Sequence, residues 1–271
     1  MARVVLPQSK LKARRRKRRM VLISVAVFLL LVLAAGATAL SWAPFLRIQT
    51  IEIVGASSVG TSTIEIMVRE EIGGTYGLVF AKDNALFYPR DQVQAQLTKQ
   101  FPVFESVSLK VQDFTNLRID IVERGPHALW CGESTTTPSP CFLLDAVGVV
   151  YAPAADFSGE VYVKYFGSTT NSQPKQFLNP EQFRSLAAFA AAAAQQAKVA
   201  VASVSVSDTA ATMRFANGFA LMFALKDDTA DVLERFRLAL TADPFTTHDL
   251  SQFEYLDLRF GDKLYYKLKN Q

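Results

Sequence analysis

Histidine and cysteine are nearly missing from this chain of 271 residues, which holds two of each. His127 sits beside a proline and His248 in a polar loop, and no His, Cys or Glu spacing suits a zinc site. Both read as structural or solvated. A Gly-x-Ser-x-Gly nucleophile elbow is also absent. The stretch Gly73-Gly74-Thr75-Tyr76-Gly77 lacks a following Lys-Ser/Thr and comes after a predicted helix rather than a strand, so it makes no phosphate cradle. The acid pairs Glu70-Glu71 and Asp227-Asp228 fall on a helix face or beside a cap, where solvated surface is the simpler account. The residues therefore point to no enzyme, no cofactor, no metal and no small-molecule substrate.

Acidic side chains are missing from the first nineteen positions, which hold nine cations, and charge of either sign is missing from Met20 to Leu40. At 1.5 Å rise per residue that apolar run covers roughly 30 Å of hydrocarbon, so residues 20–42 are predicted to form a transmembrane helix. Arg3, Lys10, Lys12 and the unbroken run Arg14 to Arg19 outnumber the single Arg47 just beyond the helix, and retained cations mark the cytoplasmic side. Residues 1–19 are accordingly a basic cytoplasmic tail, and the bulk of the chain is extracytoplasmic. Trp42 suits headgroup depth, and Pro44 stops the helix. Ala35-Gly36-Ala37 and Ala37-Thr38-Ala39 look like signal-peptidase sites, but a cleaved signal has an apolar core of about 7 to 15 residues. The longer run here reads as a retained anchor in the inner or plasma membrane.

The net charge of +4 misleads until the chain is divided: past residue 19 there are 20 basic and 25 acidic residues, a net of −5. The high pI belongs to the tail, whose partner is anionic membrane lipid and not nucleic acid.

Roughly 225 residues remain outside the membrane, enough for one large or two small domains, and two are expected. By composition, the Pro, Ala, Asp, Ser and Gly segment Ala152 to Gly159 marks a boundary, and Gly167 to Pro174 a loop. The first part reads β-α-α-β-β. Ile48 to Val54 alternates imperfectly and ends at Gly55. Thr61 or Ser62 caps a helix with Ile64, Met67, Val68 and Ile72 on one face, stopped by Gly73-Gly74. A second helix follows Pro89, with Val93, Leu97 and Phe101 aligned before Pro102. Val107-Leu109-Val111 and Leu117-Ile119-Ile121 then form a hairpin with one buried face.

Farther on, Asn179-Pro180-Glu181-Gln182 opens a helix through about Ala197, with Phe183, Leu186, Phe189 and Ala190 facing inward. Strands are predicted at Val201 to Val206, Ala211 to Phe215 and Phe219 to Leu225, with Asn217-Gly218 as a tight turn. Asp228 opens a last helix bearing Val232, Leu233, Phe236 and Leu240. Strands Glu254 to Phe260 and Lys263 to Leu268 then flank Gly261-Asp262. Between Leu129-Trp130 and Phe142-Leu143, which could pair as a hairpin, Cys131 and Cys141 bracket a Ser, Thr and Pro loop. An oxidising exterior favours a disulfide across its base, with two free thiols in a reducing host as the alternative. A ring this short constrains the loop by roughly 2 to 3 kcal/mol in the chain-entropy account.

The run Ile51-Glu52-Ile53-Val54-Gly55, the helix pair, the hairpin and its exit Val122-Glu123-Arg124-Gly125-Pro126-His127-Ala128-Leu129-Trp130 together resemble a POTRA domain of the FtsQ/DivIB bacterial cell division family. Leu144-Asp145-Ala146-Val147-Gly148-Val149-Val150-Tyr151 resembles the strand-turn-strand that follows it there, and Tyr255-Leu256-Asp257-Leu258-Arg259-Phe260 the family's closing strand. The Ala-rich stretch Ala187 to Ala194 and the Cys-bounded insertion have no counterpart role. The resemblance implies an α+β chain: an anchor, a POTRA domain over 46–124 and a C-terminal mixed α/β domain with an antiparallel sheet over 125–271. It further implies a scaffold at the division septum that binds FtsB/FtsL-type proteins and other divisome members through its C-terminal sheet. Phe260 falls where the family carries an aromatic residue at the partner surface, with Tyr255, Arg259, Tyr265 and Tyr266 as neighbours. Alternate strand residues point opposite ways, so not all five face a partner; some fill the core.

Two other classes compete. A POTRA-bearing membrane protein that handles polypeptides or assembles the envelope by strand addition would show repeated POTRA units or a fused barrel, and the sequence shows neither. An anchored enzyme or ligand sensor needs a polar constellation that the residues do not supply.

Overall fold

A computed structural model describes residues 8–77, 79–137, 139–155, 161–171 and 174–269, with side chains from residue 14 onward. Residues 1–7 of the predicted tail and half of the expected boundary, 156–159, lie outside the described residues. The chain is α+β and divides into two compact units, Met1–Leu97 with Val107–Ile121, and Thr98–Ser106 with Val122–Gln271. Ala152 and Pro153, the start of that segment, belong to a strand inside the second unit.

In the first unit, α1 (Gln8–Ser41) is one continuous helix. Its 28-residue stretch Arg14–Ser41 is long and apolar enough to cross a membrane, and its most apolar window is wholly exposed. A short 3-10 turn, Pro44–Leu46, leads to β1 (Thr50–Val54), α2 (Thr61–Ile72), the small hairpin β2 (Thr75–Tyr76) and β3 (Phe80–Ala81), α3 (Arg90–Gln100), β4 (Phe104–Gln112) and β5 (Asn116–Glu123), of which residues 98–106, 122 and 123 count with the second unit. The three-stranded sheet has the order β1-β5-β4, with β1 parallel to β5 and Ile51 opposite Leu117, Ile53 opposite Ile119. Ile64, Val68 and Ile72 of α2 lie at i, i+4, i+8 and are buried with Val93 and Leu97 of α3 and Leu109, Leu117 and Ile119 of the sheet. This single face is why the sequence pattern folds as it does.

Two details differ from the expected local structure. α2 is capped by Gly60, whose carbonyl accepts from the amides of Thr63 and Ile64; Thr61 is already the first helical residue. Gly73 to Gly77 enters the β2-β3 hairpin, whose two-residue strands are too short to carry any period.

At the end of β1 the chain needs a glycine. Gly55 has φ +88°, and a Cβ there would stand 2.0 Å from the Ile121 carbonyl oxygen. Gly55→Ala therefore combines left-handed strain with a backbone clash and should destabilise the first unit by at least about 2 kcal/mol. The check is hydrogen exchange of the β1 and β5 amides, which should speed up in the variant.

The second unit is built on one ten-stranded sheet. Its strands are β6 (Ala128–Trp130), β7 (Phe142–Leu144), β8 (Val149–Pro153), β9 (Lys164–Phe166), β10 (Lys175–Gln176), then, after α4 (Pro180–Ala197), β11 (Val201–Val206), β12 (Ala210–Phe215) and β13 (Ala220–Ala224). After α5 (Thr229–Leu240) and a 3-10 turn come β14 (Phe253–Phe260) and β15 (Lys263–Leu268). The order is β10-β8-β7-β6-β9-β11-β12-β13-β14-β15. The sheet is mixed, where an antiparallel one was expected: β6 with β9, β9 with β11 and β13 with β14 run parallel. Parallel neighbours need a crossover, and α4 and α5 supply two of them.

Both helices bury an aromatic face in one core: Phe183, Leu186 and Phe189 from α4, Val232 and Phe236 from α5, against Phe215, Leu221, Phe223 and Leu256. Asn179 caps α4 by accepting from the Gln182 amide at 2.9 Å, and Asp228 caps α5 through the Ala230 amide at 2.7 Å. The Ala-rich stretch has a packing role, since its Ala190 and Ala193, like Ala197 beyond it, are buried and carry no bulk to hold α4 off its neighbours. Asp145 organises the β7-β8 turn, its carboxylate accepting from the amides of Val147 and Val149 while Arg124 pairs with it from the start of the unit. Gly148, at φ +82°, completes that turn.

Cys131 and Cys141 are joined in a disulfide at the base of the β6-β7 hairpin. Next to it the buried Trp130 donates from its indole nitrogen to the Gly167 carbonyl at 2.9 Å. Replacing both cysteines by serine is expected to cost about 2 to 3 kcal/mol, from the freedom regained by a ten-residue loop in the unfolded chain. Trp130 fluorescence during denaturant unfolding reads this directly.

Candidate functional site

The last two strands form one end of the ten-stranded sheet. β14 is internal, hydrogen-bonded to β13 on one side and β15 on the other, and it buries Phe253, Leu256, Asp257 and Leu258. β15 is the outermost strand, and its residues Lys263 to Lys267 are all exposed. Its outer main-chain groups have no neighbouring strand among the described residues. Such an edge offers unpaired N–H and C=O groups to another chain.

The strand is nonetheless held firmly from behind. Leu268 packs on the core, the Lys269 amide donates to the Gln252 carbonyl at 2.9 Å, and Lys267 pairs with Glu254 at 2.6 Å. From α5, Arg235 donates to the carbonyls of Leu258 and Gly261, both at 2.9 Å, and to Asp227 at 2.8 Å. Arg235 thereby ties the β14-β15 turn to the helix layer. Asp227 and Asp228 thus have separate structural partners.

The five residues expected at the partner surface separate into distinct environments. The register bulges between Asp257 and Phe260, which changes how the outer part of β14 presents its side chains. Phe260, 56 % exposed, meets Tyr265, 50 % exposed, edge to face at 5.3 Å. The Arg259 guanidinium lies 5.7 Å from the Phe260 ring centre. These three form a continuous exposed patch. Tyr266, 44 % exposed, lies at the core rim instead, with its ring edge-on to Phe245 at 5.7 Å and Phe253 at 5.9 Å. Tyr255 is half-buried on β14, opposite Lys267 in the register.

Arg259 has a second task. Its side chain makes a two-pronged ion pair with Asp257, at 2.6 Å at the shortest, and its own amide donates to the same carboxylate at 3.0 Å. Burial pushes the Asp257 carboxyl up, but the Arg259 hydrogen bonds and charge outweigh it and hold the group below the ordinary carboxylate value. With a depressed folded-state pKa, the pair's stabilisation is present above the unfolded value near 4 and is lost as pH falls through the folded value. Asp257→Asn should therefore be less stable than the parent at pH 7 and lose less stability on acidification below about pH 4. Denaturant midpoints taken against pH on the two chains check this.

His127 and His248 are both exposed, and His248 Nδ1 sits 3.0 Å from the Thr247 hydroxyl. Among the described residues no cluster of three His, Cys, Asp or Glu side chains could hold a metal ion. Arg235 was not singled out from the sequence, and no local signal marks it, because its partners are carbonyls 23 and 26 residues away. No protein-family model matches this chain, and no curated protein matches it.

Proposed function

We propose that the protein is a non-enzymatic, single-pass membrane scaffold of the bacterial cell division complex, of the FtsQ/DivIB kind. In this reading the basic tail is cytoplasmic, α1 spans the inner or plasma membrane, the β-α-α-β-β unit is a POTRA domain, and the ten-stranded sheet faces the extracytoplasmic space at the septum. FtsB/FtsL-like partners dock by adding a strand to β15 and covering Phe260, Tyr265 and Arg259. The observation that carries the proposal is the outermost strand itself, exposed from Lys263 to Lys267, pinned from behind and flanked by an aromatic pair. Element order and the strand-turn-strand around Asp145 support the family reading. Anchoring adds to the mechanism, because confinement to the membrane plane raises the effective concentration of partners tethered beside the protein, so weak contacts suffice. A polypeptide-handling role by strand addition is the second reading. It draws on β1, an edge strand of the three-stranded sheet that leaves Val54 exposed.

The test is capture of division-type coiled-coil ectodomains by the full chain in lipid nanodiscs. Parent protein should bind, and Phe260→Lys with Tyr265→Ala should weaken binding about 30-fold or more, the loss expected when a central aromatic anchor is removed. Ile66→Lys, at an exposed position of the first unit, should bind as the parent does. Equal binding by all three folded chains sinks the edge-docking proposal.

A further inference from the structure

The first unit carries an apolar surface that the division-scaffold reading leaves unused. Trp42, Phe45, Val79, Phe80, Leu86 and Phe87 are all exposed, between 38 % and 63 %. They come from three separate stretches of chain, yet a web of hydrogen bonds gathers those stretches at the end of α1. Ser41, the last helical residue, is 2 % exposed; its hydroxyl accepts from the Ala81 amide at 3.3 Å and its carbonyl from Asn84 Nδ2 at 3.0 Å. The Trp42 indole donates to the Val79 carbonyl at 2.8 Å, and the Ala85 amide to the Leu46 carbonyl at 2.7 Å. Asn84, itself buried, also accepts from the Leu86 amide and so fixes the turn that displays Leu86 and Phe87. Arg47 and Asp83 clamp the same junction through a two-pronged ion pair, 2.6 Å at its shortest.

The position of this collar along the membrane normal follows from α1. The uncharged residues 20–40 number twenty-one and rise about 31 Å, close to the thickness of a hydrocarbon core. Ser41 therefore sits at the hydrocarbon boundary, and every segment bonded to Ser41 or Trp42 lies within a few ångströms of that depth. Cations stand among the rings: the Arg47 guanidinium is 5.5 Å from the Trp42 ring centre, and Lys82 Nζ is 5.6 Å from that of Tyr76. Aromatic and aliphatic side chains with interspersed Lys and Arg match the layer where acyl chains meet anionic headgroups. In water, six such side chains on one surface form the kind of patch that needs a cover.

We infer that this collar is a lipid-seating surface: Phe45, Val79, Phe80, Leu86 and Phe87, with Trp42, insert into the interfacial layer of the bilayer that α1 crosses. The occupant is lipid because the patch is continuous with the helix end at hydrocarbon depth and leaves no linker to lift it away. The inference rests on α1 spanning the membrane, and its test separates the two. Single cysteines for spin labelling are placed at Phe45, Leu86 and Phe87, at Leu30 inside α1, and at Ile66 on exposed α2; the native pair is already a disulfide. The full-length chains go into nanodiscs of phosphatidylethanolamine and phosphatidylglycerol, and collision rates with oxygen and with a water-soluble nickel chelate are measured. Because oxygen enriches in hydrocarbon and the chelate is excluded, the oxygen-to-nickel ratio at the three collar sites should exceed that at Ile66 by at least about threefold. Leu30 should be higher still. Collar ratios equal to that at Ile66, with Leu30 high, overturn the inference and leave the anchor intact; a low ratio at Leu30 overturns the anchor as well. Low collision rates with both probes at the collar mean that protein covers it, and also overturn the inference. Circular dichroism of each chain guards against misfolding, and Phe80→Cys on the β3 strand gives an independent fourth site.

Discussion

Main-chain hydrogen bonding sets the terms for every part of this protein. Hydrocarbon offers no partner for a peptide group, so the segment suited to it is a helix that satisfies its own backbone. An open sheet satisfies its backbone only between strands, so whatever is left over accumulates at its two margins. At one margin β10 is just two residues long, which leaves little main chain to offer. At the other, β15 is six residues long and backed by a helix-borne arginine and a pinned terminus. The sheet concentrates its unused bonding capacity where the chain is best braced to present it.

Elements with a clear period were legible from the sequence alone. α2, α4 and α5 follow their apolar stripes, β5 and the part of β4 from Val107 onward follow alternation, and Asn217-Gly218 makes the turn between β12 and β13. What escaped had no period to read. β2, β3, β9 and β10 are two or three residues long and exist because a neighbour pairs with them. Strand order was equally hidden, since the parallel pairing of β13 with β14 depends on α5 folding back over the sheet and not on either strand's own residues.

The candidate site was partly legible for a similar reason. An aromatic-rich terminal strand could be read, but the bulge between Asp257 and Phe260 decides which rings face outward. Tyr265 and Tyr266 are adjacent in sequence and chemically identical; one joins Phe260 at the surface and the other closes the rim of the core over Phe253. Sequence supplies the alternation and only the register supplies its sense. The collar was invisible for a different cause: its residues come from segments too short to carry a period, and they are gathered by the buried Asn84 and Ser41.

The junction at Ser41 has a geometric consequence. A helix that ended in a flexible tether would let the domain behind it turn freely in the membrane plane. Here the last helical turn is bonded directly into the fold, so the azimuth of α1 and that of the body formed by residues 44–97 are one quantity. With α1 across a bilayer, as proposed above, any lateral contact that selects one of its flanks also aims that body in a chosen compass direction. In that proposed setting the helix is a rudder as well as a mooring.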